Sequence, residues 1–299
     1  QEIAQELDID YAGSDFQFFS PADIESYKAK WCRDPEAVGD LEIDSDKCVV
    51  VRFVHGRKGK FRFWEMPGAD FRFDPERRFV VGADVSAGTG ASNSTLAFYD
   101  EKSHEKVAEY ANPCMLPDDF GRFAVAAARL FNNALVVPDR SGPTGEVFVR
   151  RLVANGYTNI YRARDEKKIG SPSEEKYGVW LNPSVRTTIL ENYRDAIGHD
   201  TIINRSAIAM DEAAKFVRQK DGFIEHTDAA NSIDPSGAKA NHGDLCIADA
   251  LANMKLSAEK KTEEAGTQEV PEGSLARRIQ MAAEEAMEKE RELGKGWEV

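Results

Sequence analysis

Short, dense apolar runs separated by polar turns dominate the chain, and the spacing of apolar positions changes along its length. Cys48-Val-Val-Val-Arg-Phe-Val54 and Lys60-Phe-Arg-Phe-Trp64 are two β-type runs around His55-Gly-Arg-Lys-Gly59, a pattern that predicts a hairpin. Arg78–Val85 is a continuous apolar run suited to a buried strand, and Ser94–Tyr99 and Lys106–Tyr110 follow it through turns. From Pro117 the period lengthens to that of a helix reaching about Asn132, with Phe120, Phe123, Val125, Ala127 and Leu130 as its apolar set. Strand and helix then alternate. The pattern predicts a strand at Leu135–Pro138, a helix at Gly145–Asn155 stopped by Gly156, and a short strand at Asn159–Tyr161. A helix at Pro183–Ile197, a strand at Thr201–Ile203 and a helix at Ser206–Gln219, capped by Ser206, come next. A last strand at Gly222–Glu225 and a helix at Gly243–Leu256 complete the series. A three-strand meander followed by alternating helices and strands predicts an α/β fold with a mixed central sheet flanked by helices on both faces.

The two ends depart from this rhythm. Residues 1–46 mix acidic, aromatic and small side chains without a period, and read as an irregular linker with short helices. Residues 47–256 read as the folded domain, with its core at 78–256. Residues 257–299 read as a tail: a polar linker from Lys260 to Gly273, then a charged helix from Ser274 to Leu293. A thin apolar stripe at Leu275, Ile279, Ala282 and Ala286 makes that helix either a solvated element or a peptide that docks on a partner. Gln1 in place of an initiator Met fits a segment of a longer chain.

Composition narrows the class. The 299 residues are 41% hydrophobic, enough for a sizeable core, yet no apolar run approaches the length of a membrane span and no signal pattern opens the chain. The formal net charge is −13, which argues against nucleic acid until its distribution is considered. The excess acid lies in residues 1–50 and 257–299, whereas residues 51–256 are neutral overall and carry 28 basic side chains. Affinity for phosphate backbones depends on local clusters, such as Arg57-Lys58-Gly59-Lys60, Arg77-Arg78, Arg150-Arg151 and Arg162 to Lys168. The four cysteines, Cys32, Cys48, Cys114 and Cys246, are scattered without a CxxC pair, which disfavours a zinc site and fits a reducing setting.

Three acids stand at element boundaries. Asp84 ends the run Phe79-Val-Val-Gly-Ala-Asp84, and small residues follow it, which would let a phosphate or a cation approach. Asp139 ends Leu135-Val-Val-Pro-Asp139 at a strand-to-helix corner, where open α/β sheets place their sites. Asp244 opens the late helix after His242-Gly243. Each has a plainer explanation: a turn cap for Asp84, an N-cap for Asp139, and helix-dipole complementarity for Asp244. Taken together they suggest more. Carboxylates at the edge of a buried sheet repel one another unless a cation lies between them, and Mg²⁺ or Mn²⁺ suits such oxygen ligands. An acidic cluster of this kind is the core of a two-metal phosphodiester-cleaving site.

From about residue 78 to 254 the chain resembles the nuclease domain of tailed-bacteriophage large terminase subunits, the DNA-packaging motor proteins. The segments that carry the resemblance are Phe79-Val-Val-Gly-Ala-Asp84-Val-Ser-Ala-Gly88, Leu135-Val-Val-Pro-Asp139-Arg-Ser-Gly-Pro-Thr-Gly145, Asn159-Ile-Tyr-Arg162, Tyr177-Gly-Val-Trp-Leu-Asn-Pro-Ser-Val-Arg186, Asp211-Glu-Ala-Ala-Lys-Phe216 and His242-Gly-Asp244-Leu-Cys-Ile-Ala. Gln1–Glu6 and Gly13–Phe19 are similar to the family's junction between ATPase and nuclease domains. The resemblance implies an RNase H-like fold and a metal-dependent endonuclease that cuts concatemeric viral DNA during genome packaging. Asp84, Asp139 and Asp244 match the family's metal-binding acids, with Asp84 bridging two Mg²⁺ ions and Mn²⁺ as a substitute. Arg140 and Arg186, together with Arg57, Lys58 and Lys60, are the candidates for gripping the DNA backbone. Glu212 matches a recurring family acid and reads as structural. The chain departs from the family twice: the second acid is often Glu there, and the last motif often reads His-Asp-Asp where this chain has His242-Gly243-Asp244.

The implied partners are double-stranded viral DNA, the portal protein and the small terminase subunit, in the host cytoplasm and away from membranes. No GxxxxGK[ST] motif is present, so the packaging ATPase is expected upstream of this segment. Two other readings fit parts of the pattern. Asp84-Val-Ser-Ala-Gly-Thr-Gly90 is reminiscent of the first phosphate loop of ATP-binding actin and sugar-kinase domains, although a second such loop is lacking. A nuclease fold retained as a non-catalytic docking module is the other, favoured by the missing acid at 243.

Overall fold

The computed structural model describes residues 17–68, 70–164, 175–219, 222–227 and 243–267, with side chains in the last segment described to residue 256. The first helix, α1 (Pro21–Trp31), is capped by the Ser20 hydroxyl, which accepts from the Asp23 amide. Strands β1 (Ala37–Asp44), β2 (Val49–His55), β3 (Phe61–Phe63), β4 (Phe79–Asp84), β5 (Ser94–Asp100) and β6 (Lys106–Asn112) follow. Beyond them come α2 (Pro117–Leu130), β7 (Leu135–Pro138), α3 (Gly142–Ala154), β8 (Arg162–Arg164) and β9 (Glu175–Tyr177). The series ends with α4 (Pro183–Gly198), α5 (Ala207–Ala213), β10 (Phe216–Arg218), β11 (Ile224–His226) and α6 (Asp244–Thr267).

Seven strands form one sheet in the order β2-β1-β3-β6-β5-β4-β7. All neighbours are antiparallel except β4 and β7, which run parallel. The expected mixed sheet flanked by helices is therefore present, built on the expected β4-β5-β6 meander. Alternate side chains point to opposite faces. Val81, Ala83, Leu96 and Phe98 enter an aromatic core with α2 and α3, where the Phe131 ring stacks 4.2 Å from Phe98 and lies 4.7 Å from Phe73. Val80, Ala97, Tyr99 and Val137 face the opposite core with Tyr193 of α4, Met210 of α5 and Leu245, Ala248 and Leu251 of α6.

The hairpin expected between 48–54 and 60–64 is not formed. Instead β1 lies between β2 and β3 and pairs with both, so residues 37–44, expected to be irregular, belong to the sheet. The reversal is made at Asp44, whose carboxylate accepts from the Asp46 and Lys47 amides, with Cys48 at φ 48°. The helix expected at 206–219 stops at Ala213, because Phe216–Arg218 turns to pair with Ile224–His226. The segments at 159–161 and 201–203 contribute single parallel bridges, Val136 with Ile160 and Glu105 with Ile203.

Residues 1–257 form one compact unit and 258–299 another, whose described backbone is helical to Thr267, where a polar linker was expected. His242, the expected helix at 274–293, Lys167 and Lys168 of the basic cluster and the opening 1–16 fall outside the described residues. Among the described residues no helix is long and apolar enough to cross a membrane.

A buried ionic network fixes α6 to the sheet. Lys106 of β6 is fully buried and bonds Glu109 at 2.7 Å and Asp249 of α6 at 2.9 Å. Asp249 also accepts from Tyr99 at 2.9 Å and from Asn204 at 2.6 Å, while Ser206 and Arg62 complete Glu109. Burial pushes the Asp249 carboxyl above the usual range, whereas Lys106 and Arg62 hold Glu109 below it despite equal burial.

Candidate active site

Strand register brings the first two acids together. Ala83 of β4 is level with Pro138 of β7, and the Asp139 amide donates to the Ala83 carbonyl at 2.8 Å. Asp84 and Asp139 are thus neighbours at the carboxyl ends of parallel strands, on the face that packs against α6. The third arrives by helix packing. A Cβ built on Gly82 would lie 1.8 Å from the Ala248 carbonyl oxygen, so glycine lets α6 press directly on β4. Asp244 is one helical turn before Ala248, and Asp84 is two strand residues beyond Gly82. Those steps are about 6 Å and about 7 Å, so the acids stay in step. Thr95, directly opposite Asp84 on β5, confirms the placement by donating from its hydroxyl to the Asp244 carbonyl at 3.0 Å.

Each carboxylate is held by its own loop. Asp84 accepts from the Val85 amide at 2.9 Å, and Asp139 from the Ser141 amide at 2.7 Å. Asp244 is buried, and both its oxygens are engaged: Ser92 donates at 2.9 and 3.0 Å and the Asn93 amide at 2.6 Å. The small-residue turn after β4 therefore reaches across to orient the third acid. The start of α6 is finished by Glu212, which accepts from the Leu245 and Cys246 amides at 2.8 and 3.1 Å. That is the structural role expected of it.

Electrostatics tie the acids into one group. Burial, followed by the charges of Asp244 and Asp139, raises the Asp84 carboxyl well above its ordinary range. Burial also raises Asp139, against the opposing pull of its Ser141 hydrogen bonds and of Arg186. Arg186, in the first turn of α4, favours the charged form of both. Among the described residues, however, no three His, Cys, Asp or Glu side chains are gathered closely enough to hold a metal ion as they stand.

The remaining predicted residues fall around this group. Arg140 follows Asp139, and its guanidinium lies 5.3 Å from the Trp180 ring centroid. Lys60 continues a cross-strand row: its carbonyl accepts from Ala111, Ala111 pairs with Thr95, and Thr95 pairs with Asp84. It lies on the same end of the sheet, three strand spacings or about 14 Å from Asp84. Arg57 and Lys58 project from the exposed turn before it. Gly243 explains one departure from the terminase pattern. Its φ is +77°, and a Cβ there would meet the Phe216 ring at 2.6 Å, so an aspartate would be strained and crowded.

No known family profile matches this sequence, and no curated protein is significantly similar to it. Solved structures are. The large terminase nuclease from thermophilic phage G20c with bound magnesium is 15% identical, with a TM-score of 0.50 over 77% of this chain and 96% of that one. The same nuclease with bound cobalt is 14% identical, with a TM-score of 0.51 over 77% and 96%. A third structure of it gives 14% identity and a TM-score of 0.50 over 78% and 97%. The chain therefore has the RNase H-like fold of large terminase nuclease domains, as the motifs led one to expect.

Proposed function

We propose that this chain is the metal-dependent DNA endonuclease domain of a viral large terminase, cutting concatemeric DNA during genome packaging. One observation carries the reading. The β4–β7 register sets Asp84 beside Asp139, and burial together with the charges of Asp244 and Asp139 disfavours the ionised form of Asp84, at the sheet end where open α/β folds keep their sites. Such a group lacks positive charge, and a divalent cation supplies it. The donor set suits Mg²⁺ or Mn²⁺, because all three candidates are hard carboxylate oxygens. The G20c structures with bound magnesium and cobalt support divalent metal use by this fold.

Asp84, Asp139 and Asp244 would hold the metal: Asp84, which feels the charges of both others, would be shared between two ions, and Asp139 and Asp244 would each hold one. Bound there, the metal would activate a water for attack and stabilise the departing 3′ oxygen. The chain's own residues do the rest. Ser92 and Asn93 orient Asp244, and Arg186 offsets the carboxylate charge. Arg140 and Arg186 grip the phosphates near the cut, and Arg57, Lys58 and Lys60 grip them farther along the same sheet end. Contacts of that type are independent of base sequence and weaken with salt. Within this reading the partners are double-stranded viral DNA, an upstream ATPase domain, the portal and the small terminase subunit, in the host cytoplasm.

The experiment is cleavage of plasmid DNA in Mn²⁺ by the wild type and Asp84→Ala. Cleavage lost with the fold intact supports the proposal; cleavage retained by Asp84→Ala discards it. Cleavage by neither would favour the docking-module alternative.

A further inference from the structure

Trp180 is anchored on both sides and yet presents its ring to solvent. Val179 pairs with Asp139, the Arg140 amide donates to the Val179 carbonyl at 2.9 Å, and the Leu181 amide donates to the Ser141 hydroxyl at 2.7 Å. The main chain at 180 is thus clamped to the loop that carries Asp139. The indole remains 43% exposed, among the few large apolar side chains left so open. Arg140 lies against its ring at 5.3 Å, which stiffens the pair and places a cation behind it.

A second observation indicates what the surface receives. Arg140 Nε, Arg186 Nε and Thr187 Oγ1 are all buried with no hydrogen-bond partner among the described residues. Native folds rarely leave such groups unmatched. Arg186 favours the charged form of both Asp84 and Asp139, and Arg140 directly follows Asp139, so an anion with several acceptor oxygens beside the acid pair would satisfy these two guanidinium groups. A flat aromatic beside an anion subsite matches a nucleotide, with its base on the ring and its phosphate on the donors.

We infer that Trp180, backed by Arg140, is a stacking platform for a nucleobase that flanks the scissile phosphate. The site then takes DNA with a base displaced from the duplex stack at the point of cutting. This rests on the nuclease reading and names the form of substrate the site prefers. Displacement of one base would turn the strand so that its phosphate enters the acid group. Trp180 touches the substrate away from the reacting atoms, and its role is positioning.

The test uses the full chain with Ca²⁺ in place of Mg²⁺, and two DNA probes. One is a duplex with a single unpaired 2-aminopurine; the other is the same duplex fully paired. Binding is followed by anisotropy, and stacking by quenching of the 2-aminopurine emission. The wild type should quench the unpaired probe and bind it more tightly than the paired one. Trp180→Leu, which keeps apolar bulk without a π-face, should lose the quenching and weaken binding of the unpaired probe about tenfold. Trp180→Phe should retain most of both. If Trp180→Leu quenches and discriminates like the wild type, or the wild type makes no distinction between probes, the platform is wrong. Neither result depends on cleavage, so the Asp84→Ala plasmid assay judges the nuclease reading separately.

Discussion

The α-carbon of Gly82 in β4 faces the main-chain carbonyl of Ala248 in α6 so closely that one added methyl would lie 1.8 Å from its oxygen. That contact sets the height of α6 above the sheet, and with it the position of Asp244 over Asp84. Gly82→Ala is expected to push the helix away and to cost at least the 1–3 kcal/mol or so typical of overpacking, since backbone cannot yield as a side chain does. Chemical denaturation should show the loss, and Mn²⁺ binding by calorimetry should weaken with it. An unchanged protein would mean that the helix is free to shift without consequence.

The carboxyls of Asp84 and Asp139 titrate above their ordinary range in the folded protein. Their contribution to stability is therefore fully present below the usual carboxylate pKa of about 4, and it is lost as pH rises through the raised folded values. Asp84→Asn removes the most strained of these charges. In EDTA it should melt above the wild type, by a margin that widens as pH rises toward neutrality. Added Mg²⁺ should raise the wild-type melting temperature and leave Asp84→Asn nearly unmoved. Scanning fluorimetry across pH, with and without metal, measures all of this.

Ser92 holds both oxygens of Asp244. Groups that orient a metal ligand commonly contribute 10–100-fold in affinity, so Ser92→Ala should weaken Mn²⁺ binding by about that factor. Its thermal stability in EDTA should change little, because the Asn93 amide still bonds Asp244. Tighter Mn²⁺ binding would recast Ser92 as a latch that keeps Asp244 out of the site.

Lys106 is the only positive charge bonded directly to the buried Asp249 carboxylate among the described residues. Lys106→Met would leave Glu109 and Asp249 facing each other in a dry interior and cost about 3–5 kcal/mol. The pH dependence should also shift. Glu109, held below its ordinary range by Lys106 and Arg62, now contributes stability that is present above the usual carboxylate pKa and lost on acidification through the depressed value. Without the lysine Glu109 keeps only Arg62 and Ser206 against its burial, so this contribution should shrink, while Asp249, left with no cation, should rise further and favour the variant as pH falls. Urea unfolding at several pH values measures both effects.

Much of this fold was legible as pattern. The runs ending at Asp84 and Asp139 are continuous because both faces of β4 and β7 are buried, so their burial could be read from the residues alone. The edge was not legible. The segment 37–44 alternates weakly, and its place between β2 and β3 depends on non-local pairing that no local period records. Helix propensity in 206–219 yielded to the pairing of Phe216–Arg218 with Ile224–His226, where tertiary contacts override a local preference. Around the site, the acids stood out by their position at element ends. Ser92 and Asn93 did not, because their work is a long-range bond to Asp244. Gly82 was visible as a glycine inside a strand, a sign of close backbone approach, but nothing local names Ala248 as what approaches it.

The central claim is that Asp84, Asp139 and Asp244 share divalent cations at the carboxyl ends of β4 and β7. Anomalous scattering from a crystal soaked in Mn²⁺ tests it most directly. The expected result is a peak bonded to Asp84 together with Asp139 or Asp244. Mn²⁺ bound only elsewhere, or an acid end that stays empty at saturating Mn²⁺, would contradict it.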